Sequence, residues 1–203
     1  MSLDEPMNNR SKRRLRNILI SLNVDLIMIE NQIYHNDMIK LTNLHYYIVC
    51  LEDRRFFSHR GVDFRSVLRE CFKALTFKKH GGASTIDMQM VRTITGFKEN
   101  TMFRKIYESI LAFIINYRYT KKQIIDCYVK TAFFGSRLYG AEAAAKNFYS
   151  KKIEKLNNDE MAFIASMLLR PKPLNPTEKW LSDTTLRSRY AQGVFRKIKD
   201  RFK

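Results

Sequence analysis

Proline and glycine are scarce in this chain of 203 residues, at 4 and 7. No internal repeat or low-complexity segment accompanies them, so solenoid and linker-like architectures are excluded. Cysteine is scarcer still. Cys50, Cys71 and Cys127 lie far apart, form no CxxC pair and are odd in number, a poor disulfide framework, and read as small hydrophobes that leave the compartment undecided. Acidic side chains are in deficit, 20 Asp+Glu against 37 Lys+Arg, for a net charge of +17. That imbalance points to a polyanionic partner: nucleic acid, an anionic membrane surface or a phosphate-bearing substrate. Long apolar runs are also missing. The best candidate, NILISLNVDLIMI at 17–29, is interrupted by Asn23 and Asp25 and falls short of the roughly 20 residues a membrane span needs. The basic cluster RSKRRLR at 10–16 stands before it with no small-residue cleavage site behind, which argues against a signal peptide. The chain is expected to be soluble or peripheral.

What is present suits one packed domain. Hydrophobic residues make up 45% and aromatics 12%, enough for a single core at this length. The dominant period is helical. Phe64, Val67, Leu68, Cys71, Phe72 and Leu75 recur at helical spacing and predict one apolar helix face, as do Phe103, Ile106, Tyr107, Ile110, Leu111 and Ile114 behind a cap at Thr101. Further helices are predicted at about 121–133, stopped by Gly135, and at about 139–149, 158–169 and 184–200. Strand signals are confined to about 24–36. The expected fold is mainly α. Three segments are expected: a basic lead-in at 1–40, a domain at 41–180 and a basic helix at 181–203.

Several short stretches carry chemistry. EDRRFFSHRGVD at 52–63 sets Glu52 and Asp53 directly after the apolar run YYIVCL, with His59, Gly61 and Asp63 shaping the following turn and Phe56 in the core. KKHGGAST at 78–85 empties a glycine- and lysine-bearing loop into a helix start, a place where free backbone N–H groups can hold an anion. RKIYE at 104–108 puts Arg104 and Glu108 at i, i+4 with Lys105 beside them, on the face left free by the apolar stripe. Taken alone, that pair reads as an ordinary surface ion pair.

In this order the stretches resemble the peptidoglycan glycosyltransferase (transglycosylase) domain of bifunctional penicillin-binding proteins and monofunctional transglycosylases. EDRRFFSHRGVD matches E-D-x-x-F-x-x-H-x-G-x-D, GASTIDMQ resembles G-G-S-T-I-T-Q-Q, and RKIYE fits R-K-x-x-E. KKQIIDCYVK resembles K-x-x-I-L-E-x-Y-L-N, and YGAEAAAKNFYSK followed by RPKPLNP resembles the closing helix and proline loop. The resemblance covers about two thirds of the chain. It implies a lysozyme-like helical fold with a globular lobe and a smaller membrane-facing lobe. It also implies inverting transfer in which the 4-hydroxyl of lipid II displaces polyprenyl pyrophosphate from a lipid-linked glycan.

Carried over residue by residue, the resemblance makes Glu52 the base that takes the acceptor proton and Glu108 the second essential glutamate. Arg104 and Lys105 become cations for the leaving pyrophosphate. Asp53, Ser84, Thr85 and Gln89 join the substrate-binding groups. A divalent cation, Mg or Mn, held by Glu52 or Glu108, is the one cofactor expected, with no organic cofactor. The implied setting is the extracytoplasmic face of the cell membrane, with other cell-wall synthesis proteins as partners. No nucleic-acid motif accompanies the charge. Two rival readings remain open: a lytic enzyme on the same scaffold, and a catalytically silent glycan- or lipid-binding relative. The second rests on departures from the motifs: Ala83, Asp87, Met88, Asp126 and Lys130 stand where the family has Gly, Thr, Gln, Glu and Asn. An extra carboxylate at 87 is expected to disfavour a nearby pyrophosphate, and Met88 to remove hydrogen bonds from the cleft wall. The amphipathic row Leu186, Tyr190, Val194 and Ile198 is expected, with the segment at 10–16, to suit an anionic lipid surface.

Overall fold

The computed structural model describes residues 9–33, 39–75, 84–96 and 101–202. Most of the glycine-lysine stretch at 78–83, Ala83 included, lies outside them. The chain opens with α1 (Asn9–Gln32) and α2 (Asn43–Glu52). It continues through α3 (Phe64–Leu75), α4 (Ile86–Thr95) and α5 (Met102–Arg118). After α6 (Lys121–Thr131) a short antiparallel hairpin, β1 (Phe133–Gly135) and β2 (Leu138–Tyr139), leads into α7 (Ala141–Tyr149). The chain then forms α8 (Asn158–Ser166) and α9 (Glu178–Ile198). This is the mainly α, lysozyme-like arrangement that the motifs imply.

Local chemistry explains the boundaries. Thr120 and Gln123 exchange caps at the start of α6, as Asn157 and Glu160 do at α8, and each pair satisfies backbone donors that would otherwise be orphaned. Thr101 caps α5 as expected, its hydroxyl accepting from the Arg104 N–H at 3.2 Å. Gly135 does not stop a helix. α6 ends at Thr131, and Gly135 sits in β1, where the Lys172 N–H donates to the Phe134 carbonyl and the Ser136 N–H to that of Lys172. The hairpin thereby holds the proline loop at 170–176 against the body.

Two expectations fail for identifiable reasons. The described part of 24–36 is not strand, and residues 34–36 lie outside the described residues: residues to Gln32 belong to α1, whose Leu22, Leu26 and Ile29 form with Ile33, just past its end, a row packed on the core. Ile18, Ile20, Val24 and Ile27 fill other faces of the same helix, which blurred its period in the sequence. The apolar rows of α3 and α5 also do not face inward as a whole. Phe64, Val67, Leu68 and Phe72 of α3 are exposed, and so are Phe103, Ile106 and Ile110 of α5, which buries Tyr107, Leu111, Ala112 and Ile115 instead.

The body is built on α2, which packs most extensively against α8, with α9 laid across both; α4 lies between α6 and α5. Ile48, Val49, Cys50, Ile124, Ile125 and Ile164 are fully buried at these contacts. Phe56 is in the core, as expected. Gly61 brings the loop after α2 directly onto the α5 backbone. It sits at φ +85, and a Cβ there would lie 2.6 Å from the Ala112 carbonyl oxygen. Gly61→Ala should therefore combine a left-handed backbone penalty with an overlap that no rotamer relieves, and lose about 2–4 kcal/mol of stability. Urea unfolding followed by circular dichroism checks this, and an unchanged midpoint would contradict it.

Candidate active site

α2 ends at Glu52, and its apolar residues anchor the helix so that this last side chain emerges at the edge of a cleft. A helix C-terminus is an unfavourable place for a carboxylate, because the aligned peptide dipoles end negative there. The structure offsets this from elsewhere. Oε1 of Glu52 accepts from Nη2 of Arg187 on α9 at 3.0 Å, and Oε2 faces Nε2 of Gln89 on α4 at 3.4 Å. Gln89 is itself oriented, its Oε1 accepting from the Tyr128 hydroxyl at 2.6 Å. Only 11% of the Glu52 side chain is exposed.

One turn further along α4, Arg92 forms a fork on Glu108, donating from Nε to Oε1 and from Nη2 to Oε2, both at 2.8 Å. Arg104 adds its Nε at 3.2 Å from the same Oε1. Glu108 is fully buried. The hydrogen bonds that Arg92 donates to this carboxylate raise the Arg92 pKa above the ordinary arginine value. RKIYE is thus not a surface pair: Arg104 and Glu108 point inward, and the exposed apolar row lies on the other side of α5. Lys105 is exposed beside them.

Asp53 and Thr85, expected among the substrate-binding groups, are engaged within the protein. Oδ2 of Asp53 accepts from the Ile86 N–H at 3.2 Å, the first residue of α4, and lies 2.8 Å from Nε2 of His59. Its Oδ1 accepts from the Arg55 N–H at 3.3 Å. Thr85 caps α4 and donates to the Gly61 carbonyl at 2.5 Å. Ser84, half-buried, stays at the wall of a recess of about 240 Å³ that Glu52, Arg55, Ser66 and Arg69 also line. Asp63 shapes the turn as expected: it accepts from the Arg65 N–H at 3.1 Å and the Ser66 hydroxyl at 2.7 Å at the start of α3.

The departures at 87 and 88 do not reach the cleft. Asp87 is fully buried, with both oxygens within 3.1 Å of the Lys121 ammonium and a further hydrogen bond from Asn116. Burial pushes the Asp87 carboxyl up and the Lys121 ammonium down, and the mutual attraction opposes both shifts. Lys121 also sits 4.2 Å from the centre of the Phe56 ring. Met88 is 5% exposed and packs in the core, its sulfur 3.9 Å from the Ser109 hydroxyl. Neither the repulsion nor the lost hydrogen bonds expected of these residues can act on a ligand. Asp126 and Lys130 pair with each other at 2.6 Å.

Asp53, His59 and Asp87 come close enough to suggest a metal cluster, but the Lys121 ammonium already supplies the cation there. Glu108 likewise has both oxygens occupied by Arg92. A divalent ion on Glu108 would have to displace that fork.

Arg92 and Arg187 escaped the sequence reading. For Arg92 a signal existed: it follows Gln89 by three residues, so one face of α4 carries both. Arg187 had none. α9 packs through Thr184, Ser188 and Ala191, while Leu186 and Tyr190 of the expected apolar row are exposed. The helix starts at Glu178, not near 184, and is packed on the body.

One glutamate paired to arginine and glutamine at the edge of a cleft, and a second gripped by two arginines one turn along α4, are thus brought together. The transglycosylase family profile matches residues 30–195. The chain belongs to that family. It is 38% identical over 136 residues to penicillin-binding protein 1A of Rickettsia felis, covering 65% of this chain and 17% of the relative. To penicillin-binding protein 1A of Escherichia coli it is 38% identical over 130 residues, covering 63% and 15%. A protein of Cupriavidus necator whose name describes it as a transglycosylase is 33% identical over 129 residues, covering 64% of this chain and 56% of the relative. The chain thus spans under a fifth of the length of the penicillin-binding proteins it matches and just over half of the shorter transglycosylase.

The buried pair yields a test. Asp87→Thr restores the family residue but leaves the Lys121 ammonium buried without its carboxylate, which should cost about 3–5 kcal/mol. Adding Lys121→Met should recover a large part of that loss. Thermal or urea unfolding of the two single variants and the double variant measures the coupling, and additive losses would show that the pair does not act as one unit.

Proposed function

We propose that the chain is a peptidoglycan glycosyltransferase that polymerises lipid II, transferring a lipid-linked glycan with inversion and releasing polyprenyl pyrophosphate. The observation that carries this reading is the arrangement along α4, where Gln89 meets Glu52 and Arg92, one turn on, meets Glu108. One carboxylate thereby lines the recess of about 240 Å³ and the other sits within a cluster of guanidinium groups. In a single displacement the acceptor oxygen bonds to the donor C1 while the C1–O bond to pyrophosphate breaks. The acceptor proton goes to Glu52, and the electron pair leaves on the pyrophosphate. Arg187 orients Glu52 by holding its Oε1, which leaves Oε2 on the side of Gln89. Arg92, Arg104 and Lys105 stabilise the departing anion, with Glu108 fixing the first two in place. Ser84 and Gln89 contact sugar or phosphate groups from the wall of the cleft. Asp53 and Thr85 act by holding α4 in register.

The exposed faces of α3 and α5 present Phe64, Leu68, Phe72, Ile106 and Phe113, which suits a donor and acceptor whose lipid tails stay in a membrane. The extracytoplasmic face of the cell membrane, with other cell-wall proteins nearby, is the setting that fits such substrates. No described helix is long and apolar enough to cross that membrane. Lytic action on the same scaffold needs a carboxylic acid that can donate a proton. Here both glutamates receive arginine donors, an arrangement suited to acceptors. A silent binder loses its main support, since Asp87 and Met88 lie outside the cleft. A divalent cation held at Glu52 or Glu108 would supply further positive charge for the departing pyrophosphate, and loss of turnover in EDTA with recovery in Mg²⁺ or Mn²⁺ is its test.

Purified protein incubated with labelled lipid II should give polymer on a gel, and Glu52→Gln should reduce the rate by about 10²-fold or more without loss of fold. Arg187→Ala should lower the rate while leaving the fold intact, because it releases the Glu52 carboxylate from the hydrogen bond that orients it. Shorter muropeptides from a glycan substrate would establish the lytic reading, and near-normal turnover by a folded Glu52→Gln protein would remove Glu52 as the base.

A further inference from the structure

α1 is 24 residues long, about 36 Å at 1.5 Å per residue, yet only part of it is seated. Leu26, Ile29 and Ile33 are buried. Asp25 accepts from the Tyr107 hydroxyl at 2.7 Å, and Glu30 pairs with Arg118. These contacts fix the C-terminal half of the helix. From Arg13 to Ser21 every residue is exposed, although Leu15, Ile18, Leu19 and Ile20 are among them. On the seated half a second apolar row, Val24, Ile27 and Met28, continues Ile20 at i, i+4, i+7 and i+8 and faces away from the body. A helix with apolar side chains on its covered and its uncovered faces is built for a second apolar contact.

The charges say what that contact is. Arg13, Arg14 and Arg16 are exposed on the same free half, and no acidic residue lies between Arg13 and Val24. The apolar run at 17–29 covers about 20 Å of helix, too short for a hydrocarbon core of about 30 Å but suited to lying along its edge. A second copy of α1 laid alongside would meet three arginines while its own acids, Asp25 and Glu30, are already engaged by Tyr107 and Arg118.

We propose that α1 is an in-plane membrane anchor that binds anionic phospholipid, with Ile20, Val24 and Ile27 turned into the acyl boundary and Arg13, Arg14 and Arg16 on lipid phosphates. Long arginine side chains reach a headgroup layer while their stems stay with the apolar row. Ile18 and Phe103 share the wall of a groove of about 430 Å³ between α1 and α5, so the anchor runs on into the exposed face of α5. The anchor does not rest on the catalytic reading: it would hold the domain against a bilayer whether or not lipid II is the substrate.

The test is flotation of the full chain with phosphatidylcholine vesicles, with and without phosphatidylglycerol. Binding is expected only where phosphatidylglycerol is present. Arg13→Gln, Arg14→Gln and Arg16→Gln together should weaken it about 100-fold. Ile20→Asp with Val24→Asp and Ile27→Asp should abolish it, leaving the circular dichroism melt and the polymerisation of detergent-dispersed lipid II unchanged. Ile106→Asp on α5 serves as the comparison. The proposal is overturned if the chain ignores phosphatidylglycerol vesicles, if only Ile106→Asp releases it, or if the α1 substitutions leave vesicle binding intact and instead dissolve a dimer seen by sedimentation.

Discussion

Asp53 ties the end of α2 to the beginning of α4, and the rest of the site depends on that tie. Its carboxylate accepts the Ile86 N–H at the N-terminus of α4, where unpaired backbone donors and the helix dipole favour an anion. Because Asp53 follows Glu52 directly, this one contact sets the position of Glu52 relative to the helix that carries Gln89 and Arg92. His59 and the Thr85–Gly61 hydrogen bond close the same loop from its other side. A slip of one residue at this junction would turn Gln89 and Arg92 about 100° around the axis of α4 and away from both glutamates.

Behind that junction the protein buries more charge than a small core ordinarily tolerates. Asp53, Asp87 and Glu108 are all at or below a tenth exposed. Burying an ion is costly unless it is paired or hydrogen-bonded, so each acid has a matched partner: the His59 ring for Asp53, Lys121 for Asp87, and Arg92 with Arg104 for Glu108. The pairs are directional as well as attractive. A fork on a carboxylate has few acceptable geometries, so the Arg92 guanidinium is held in one place beside Glu108.

Much of this was legible in the sequence where spacing alone carries the information. Glu52 leaving an apolar run, the cap at Thr101 and the order of the five motifs are all local features. What could not be read is of a different kind. Helical periodicity shows which residues share a face, not what covers that face, so the apolar rows of α3 and α5 were indistinguishable from core rows. Asp87 and Gln89 are two residues apart on a helix and point in different directions, which turned a departure in the cleft into a buried ion pair. Arg187 lies 135 positions from Glu52 and on a helix that packs through small polar residues, so no local pattern announces it. α1 misled for the opposite reason: apolar residues on several faces leave no single helical stripe to detect.

The exposed apolar surface and the excess positive charge are two parts of one constraint. Residues such as Phe72, Ile106, Phe113 and Ile27, all more than half exposed, would draw copies of the domain together in water. A net charge of +17 opposes that association at long range while attracting the chain to anionic phosphates. Near an anionic bilayer the same charges change sign in effect, from repulsion between copies to attraction toward the surface, and the apolar faces gain a partner that water does not offer. Because the Debye length is about 8 Å at physiological ionic strength, this switch operates only close to the membrane. Contact with the bilayer, rather than with another copy, is therefore the association in which the arginines of α1 and the uncovered faces of α1, α3 and α5 are satisfied together.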